Sequence, residues 1–317
     1  MAPIYVLDHF YLSISLLATG AYQLLGFAIA WTFQFDKITD FMGALLTLLI
    51  GDIFHGRNII ASILVMFWAV RISVFLLLRV LKTGRDTRFD NIRSHFFKFM
   101  GQVVWVWTVS LPLVILNSPA VSDVYNQGSN PTFGTSRDIA GIALWSFGFV
   151  IESVADIQKY LYKSSKSSPV DRPITHGLWG WSRHPSYFGE MMCWWGLWIL
   201  CLSPATNGHL PSSAKAALYG AIISPTFTVL LLMFASGLPT AEKPQAKKYY
   251  MMANGPDAQV EHFNAWRNYQ EYLRKTSILV PMPPVLYKSL PGCIKRTILL
   301  DFPMYEFHEA KEGINAS

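Results

Sequence analysis

Apolar runs of bilayer-crossing length recur along most of the chain, at about 10–33, 39–54, 58–81, 96–116, 138–158, 186–203 and 216–238. About 20 such residues cross a hydrocarbon core as a helix, because away from water every backbone N–H and C=O must be satisfied within the segment. The pattern predicts an all-α polytopic membrane protein: a bundle of about seven transmembrane helices, six to eight in all. The count has that width because the run at 39–54 is short and ends at Asp52 and His55, so it reads as a crossing or as a re-entrant segment. Of the 317 residues 15% are charged and 52% hydrophobic, whereas a soluble domain carries roughly 25% charged. An ordinary soluble enzyme is excluded. The first run lacks the basic leader and short core of a cleaved signal, so it is expected to remain in the protein.

Lys and Arg alternate between the connections. Arg79, Lys82, Arg85, Arg88, Arg93 and Lys98 crowd one, and 117–136 has none. Lys159, Lys163, Lys166, Arg172 and Arg183 fill another, 204–214 is free of both types, and Lys243, Lys247 and Lys248 follow the last run. Basic connections face the cytosol, so the N-terminus is expected outside and the C-terminus inside. Residues 240–317 hold no span, and Pro281, Pro283 and Pro284 preclude a long helix there. The expected organisation is N-terminal transmembrane helices over 1–57, a transmembrane domain over 58–285 and a cytosolic tail over 286–317. The net charge of +6 is concentrated in these loops, and with no recognisable nucleic-acid module a nucleic-acid partner is not expected. Cys193, Cys201 and Cys293 form no disulfide framework, and the eight His form no HxxxH pair, so no metal is expected. The soluble nucleotide motifs are absent, which leaves any cofactor to be held by helices and their loops. Asn315-Ala-Ser317 matches a glycosylation pattern by chance, since it falls in the predicted cytosolic tail.

Polar residues inside the runs are costly, and three groups stand out. Arg71 sits about ten residues, roughly 15 Å, from the cytosolic end of its run. That is too deep for snorkelling, and a mid-membrane Arg costs roughly 2.5–3.5 kcal/mol even on lenient scales, so it must face protein or a wet cavity, as half of a structural ion pair or as a functional group. Glu152, Asp156, Lys159 and Lys163 fall at i, i+4, i+7 and i+11, one stripe of a helix running out to the cytosol. Simple helix-end pairing explains the spacing; acids set deeper than their bases favour a functional polar face. The densest group is Gly177-Leu-Trp-Gly-Trp181-Ser-Arg183-His184-Pro185-Ser186-Tyr187-Phe-Gly189-Glu190. Pro185 suits the first position of a helix, which would direct free N–H groups and Arg183 and His184 at an anion. Tyr187 and Glu190 lie on adjoining turns, placed to bond a sugar hydroxyl or an amide. An interfacial aromatic belt explains the Trp residues, but not a Glu one turn inside.

These residues resemble the steroid 5α-reductase C-terminal superfamily, most closely its DUF1295 branch. The stretch from Arg71 to Asp90 resembles that branch's arginine-bearing helix and RxxxxGxDxRF loop. Glu152 to Lys159 resembles ExxADxQK, Gly177 to Glu190 resembles GLWxxSRHPNYFGE with Ser186 where Asn is usual, and Ser236-Gly237-Leu-Pro239 with Glu242 resembles SGxPxxE. Tyr269, Tyr272, Thr276 and Pro281 fit the closing YxxYxxxTxxxxP. The likeness covers roughly residues 60–285. It implies a bundle holding NADPH between the cytosolic halves of its last helices, with Glu152, Asp156, Lys163, Arg183, His184, Ser186, Tyr187 and Glu190 at the cofactor. Where the steroid enzymes place a ketone-polarising Tyr, the nearest match is Trp68, which has no phenolic proton. The implied catalytic residues are Arg71, for electrostatic support, and Tyr187, for ordering the cofactor or giving a proton.

The expected activity is NADPH-dependent reduction of the C=C bond of a lipid-like enone, steroid, sterol or polyprenoid, with membrane lipids as surroundings. The resemblance implies the endoplasmic reticulum if the chain is eukaryotic. An S-adenosylmethionine-dependent lipid methyltransferase is the alternative, since such enzymes share an RHPxY-type helix start; they usually carry paired glutamates where Glu242 is followed by Lys243. A non-catalytic sterol or lipid binder is the third reading, kept open by Trp68.

Overall fold

The computed structural model describes residues 7–33, 55–83, 96–122, 130–165, 167–256 and 258–309. The run at 39–54 and the basic connection at 84–95 lie outside them. The described residues are all-α, without a named strand. In chain order the helices are α1 Leu12–Phe33, α2 Gly56–Thr83, α3 Phe96–Leu116, α4 Pro119–Ser122, α5 Ser136–Ser164, α6 Pro185–Cys201, α7 Ser203–Asn207, α8 Ser212–Gly220, α9 Ile223–Phe234, α10 Leu238–Asn254, α11 Ala265–Lys275, α12 Pro284–Ser289 and α13 Gly292–Thr297. By length and apolarity, four stretches among the described residues can cross a membrane: Gly56–Phe75, Gly101–Ser122, Ser136–Ser164 and Ser212–Asn254.

The helix starts follow from local chemistry. The carboxylate of Asp8 accepts from the backbone N–H of Phe10, Leu12 and Ser13 at 2.9, 3.0 and 2.7 Å, satisfying donors that open α1. Thr135 and Asp138 cap α5 reciprocally: Asp138 N–H donates to Thr135 Oγ1 at 3.3 Å and Thr135 N–H to Asp138 Oδ2 at 2.9 Å. Pro185 is the first residue of α6, as expected. The apolar run at 216–238 differs from a single helix, because α8 ends at Gly220 and α9 begins at Ile223. Pro225 favours the break: its ring lacks an N–H and crowds the carbonyl four residues back, that of Ala221, which lies between the two helices. At about 1.5 Å per residue α6 is about 26 Å long, slightly less than the roughly 30 Å hydrocarbon core.

The chain divides into two compact units, Met1–Ser146 with Met192–Thr228, and Phe147–Met191 with Val229–Ser317. Helices α5 and α6 each contribute one part to each unit.

In the first unit α1 lies along α3, with Trp107 Nε1–H donating to Ser15 Oγ at 3.1 Å. Ser224 ties α9 to α3 through the Val109 carbonyl at 2.9 Å. The N-terminal part of α5 meets the C-terminal part of α6 at glycine: a Cβ on Gly196 would lie 2.5 Å from Trp145 N and 2.7 Å from the Gly141 carbonyl. Any larger residue would force the helices apart. Arg57 and Asp138, both buried, form a bidentate pair at 2.7 and 2.8 Å, and the guanidinium also donates to the Pro131 carbonyl and Asn130 Oδ1. Such a pair is retained only when its remaining hydrogen-bonding capacity is filled, and the Asn130–Pro131 segment fills it.

The second unit centres on aromatic packing between α10 and α11. Tyr249 stacks on Tyr269 at 4.8 Å, and Trp266, Phe307 and Tyr272 extend the cluster. Tyr305 donates its buried hydroxyl to the Met233 carbonyl at 2.6 Å, fastening the C-terminal segment to α9.

Candidate functional site

The stripe on α5 has the gradient that its spacing predicts. Glu152 is buried, Asp156 and Lys159 are half-buried and Lys163 is exposed, so the acids lie deeper than the outermost base along one continuous helix. The signature segment docks onto the same helix. Trp179, in the tight turn Gly177–Gly180, donates its indole N–H to the Ala155 carbonyl at 2.9 Å, and Leu178 N–H reaches Gln158 Oε1 at 3.0 Å. The Lys159 ammonium sits 4.8 Å from the centre of the Trp179 ring, a cation–π contact. Gly189 then lets the start of α6 touch α5, since a Cβ there would lie 2.6 Å from the Gly148 carbonyl and 2.7 Å from Glu152 N. That crossing sets Glu190, Tyr187 and Ser186, all half-buried, on the first turns beside the stripe.

Arg183 and His184, at the mouth of α6, are buried and already bonded within the chain. The guanidinium donates from Nη1 to Glu242 Oε2 at 2.6 Å and from Nη2 to Asp301 Oδ1 at 2.8 Å. His184 Nε2 lies 2.6 Å from Glu242 Oε1, and its ring stacks on Tyr187 at 5.1 Å with a 4° tilt. Tyr287 donates its hydroxyl to Asp301 Oδ2 at 2.5 Å. The residue before Asp301 is Leu300, held at a φ of +60°; a branched side chain rarely adopts this left-handed conformation, which persists only where surrounding structure over-determines it.

Electrostatics sharpen the picture. Burial alone would lower the Arg183 pKa; the Glu242 and Asp301 carboxylates overcome it and hold the group above its ordinary value. Burial also pushes the His184 imidazole below its ordinary value, against the pull of Glu242. The neutral ring therefore carries its proton on Nε2 and donates to Glu242. One guanidinium faces two carboxylates, so an incoming anion finds the Arg183 charge already compensated. Arg183 Nε–H is buried with no acceptor among the described residues, and a buried N–H of that kind requires an explanation.

The backbone around the pair is fixed by the chain's own C-terminal part. Arg183 N–H donates to the Ser277 carbonyl at 2.7 Å, Ser182 Oγ–H to the Leu279 carbonyl at 2.8 Å, and Tyr272 O–H to the Trp179 carbonyl at 2.9 Å. The segments of Gly177 to Glu190, Glu242 and Tyr269 to Pro281, separate in sequence, thus meet in one unit.

All eight expected cofactor residues, Glu152, Asp156, Lys163, Arg183, His184, Ser186, Tyr187 and Glu190, fall in the second unit. Arg71 lies on α2 in the first, half-buried, and Trp68 is buried there with its ring edge-on to Trp194 at 5.1 Å. Sequence reasoning placed Glu242 in a motif without its partners and overlooked Asp301 and Tyr287. A signal for Asp301 was present, as it is the first acid after Glu271 in an otherwise basic stretch. Among the described residues no group of three or more His, Cys, Asp or Glu could hold a metal.

A family model described as a protein of unknown function, DUF1295, matches residues 26–255. The chain belongs to the DUF1295 family. Comparison with curated proteins and with solved structures gives no match.

Proposed function

We propose that this protein is a membrane-embedded, NADPH-dependent reductase of the C=C bond in a lipid-like enone. The observation that carries the reading is the contact at Gly189, where the helix bearing Ser186, Tyr187 and Glu190 touches the one bearing Glu152 and Asp156. In the same reading the chain forms about seven crossings, and its C-terminal segment lies in the cytosol.

The donor chemistry fits the cofactor. Lys159 and Lys163 provide cations at the outer end of the stripe for phosphate groups. Ser186 and Tyr187 offer hydroxyls, and Glu152, Asp156 and Glu190 offer acceptors suited to ribose hydroxyls and a carboxamide. With Arg183 compensated by two carboxylates, the cluster suits a neutral group better than a phosphate, with Arg183 Nε–H as a spare donor and His184 ordering the Tyr187 ring by stacking. NADPH, when bound, supplies the hydride. Tyr187 is the proposed proton donor or cofactor-ordering group. The proposed role of Arg71, electrostatic support for charge developing on a substrate oxygen, is tested on its own: R71Q lowers turnover and leaves NADPH affinity in place.

The deciding experiment is the thermal midpoint of detergent-purified protein with saturating NADPH, NADH or S-adenosylmethionine. A ligand at about 100 times its Kd adds roughly 2.7 kcal/mol to the native state. The reading expects NADPH to raise the midpoint and E190Q or E152Q to abolish the response while the unliganded midpoint holds. A response to S-adenosylmethionine alone would replace reduction by methyl transfer, and no response to any of the three would leave a lipid binder.

A further inference from the structure

Beyond Asn254 no described helix is long and apolar enough to cross a membrane, yet α12 and the residue that ends α13 expose large apolar side chains. Val285 is 85% exposed, Leu286 51% and Ile298 68%. Tyr287 of α12 is buried, as is Leu299 just past the end of α13, and the Lys295 ammonium lies 4.5 Å from the centre of the Tyr287 ring, which sets α13 against α12. The outward residues are therefore exposed by a folded pair of helices. Every charged side chain between 272 and 300 is basic, namely Arg274, Lys275, Lys288, Lys295 and Arg296. The acid that follows, Asp301, is engaged by Arg183 and Tyr287.

We propose that α12 and α13 lie on an anionic lipid surface, with Val285, Leu286 and Ile298 in the acyl boundary and Lys288 and Arg296 among the head groups. Short apolar segments flanked by bases bind the interfacial plane through buried area and attraction to anionic lipid together. Lipid is the occupant because four stretches among the described residues are able to cross a bilayer, so a tethered segment meets the head-group layer at high effective concentration. The basic charge complements that layer. Tyr287, between Leu286 and Lys288, bonds the carboxylate that pairs with Arg183, so the docked face is one residue removed from the buried cluster. The proposal is independent of the reductase reading.

The test uses one label on the full chain. Cys293 is exposed in α13, while Cys193 and Cys201 are buried, so a bimane thiol reagent reports on this surface. The labelled protein is placed in nanodiscs of phosphatidylcholine alone, or of phosphatidylcholine mixed with phosphatidylserine, each with lipid-borne nitroxide quenchers. Strong quenching in the mixed discs is expected, weaker quenching in the neutral ones, and loss of the difference in K288Q/R296Q. V285S/I298S is expected to lose quenching in both lipids, with thermal midpoints of both variants at the wild-type value. Quenching that is equal in the two lipids or absent from both overturns the proposal. So does a signal that grows with protein concentration in detergent, which would make the occupant a second copy of the chain.

Discussion

Glu242 neutralises a buried guanidinium and accepts from an imidazole at once, and the consequences of losing it are calculable. E242Q leaves Arg183 paired with Asp301 alone, and loss of the charge-assisted hydrogen bond to the buried Glu242 costs about 1.5–3 kcal/mol. D301N should cost less, since Asp301 is 23% exposed where Glu242 is 7%; comparing the two thermal midpoints in detergent checks the order. His184 makes stability depend on pH. Its folded pKa is depressed by burial, so below about 6.5, the ordinary His value, the unfolded chain takes up a proton that the folded chain refuses. Stability is full above that pH and falls as the pH drops through it. A midpoint series across that window, in wild type and H184Q, should show a drop in the first that is smaller in the second. Ser186 stands where the resembling family usually has Asn. S186N is expected to add an amide donor on the first turn of α6 and to enlarge the NADPH-induced shift, and a smaller shift would count against the cofactor's placement.

At the scale of elements, the contact between α5 and α6 depends on residues without side chains. G189A would press a methyl group against the Gly148 carbonyl and the Glu152 backbone, neither of which can swing away as a flexible side chain would. Overpacking of this kind costs about 1–3 kcal/mol. Because the contact also sets Glu190 beside the stripe, the variant should lose NADPH response by more than its fall in stability explains; equal losses would mean that Gly189 matters for packing alone. The start of α6 was readable because it is local, with Pro185 its first residue; the reciprocal cap of Thr135 and Asp138 on α5 is as local but emerged only from the structure. The break between α8 and α9 was equally local, with Pro225 in plain view inside an apolar run, and hydropathy alone passes over it because a proline costs little on such a scale.

For the whole molecule, the C-terminal segment is part of the folded second unit. It supplies Asp301 and Tyr287 to Arg183 and fastens Tyr305 to α9. Ending the chain after residue 283 should therefore lower the thermal midpoint and abolish the NADPH response while the membrane-inserted fraction stays the same, as read by alkaline extraction. An unchanged midpoint would show that the segment contributes no stability. Hydropathy and run length were enough to establish an all-α chain with membrane-crossing stretches, and the 3.6-residue period, Pro185 and the family motifs marked the stripe on α5 and the start of α6. Those properties are local, carried by residues within a few turns of one another. What answers the charge on Arg183 was decided only by the tertiary structure, because its partners stand 59 and 118 residues away. A cation beside a helix start reads in sequence as a site for an external anion; only the fold, in bringing two carboxylates to the buried Arg183, shows that the chain provides that anion itself.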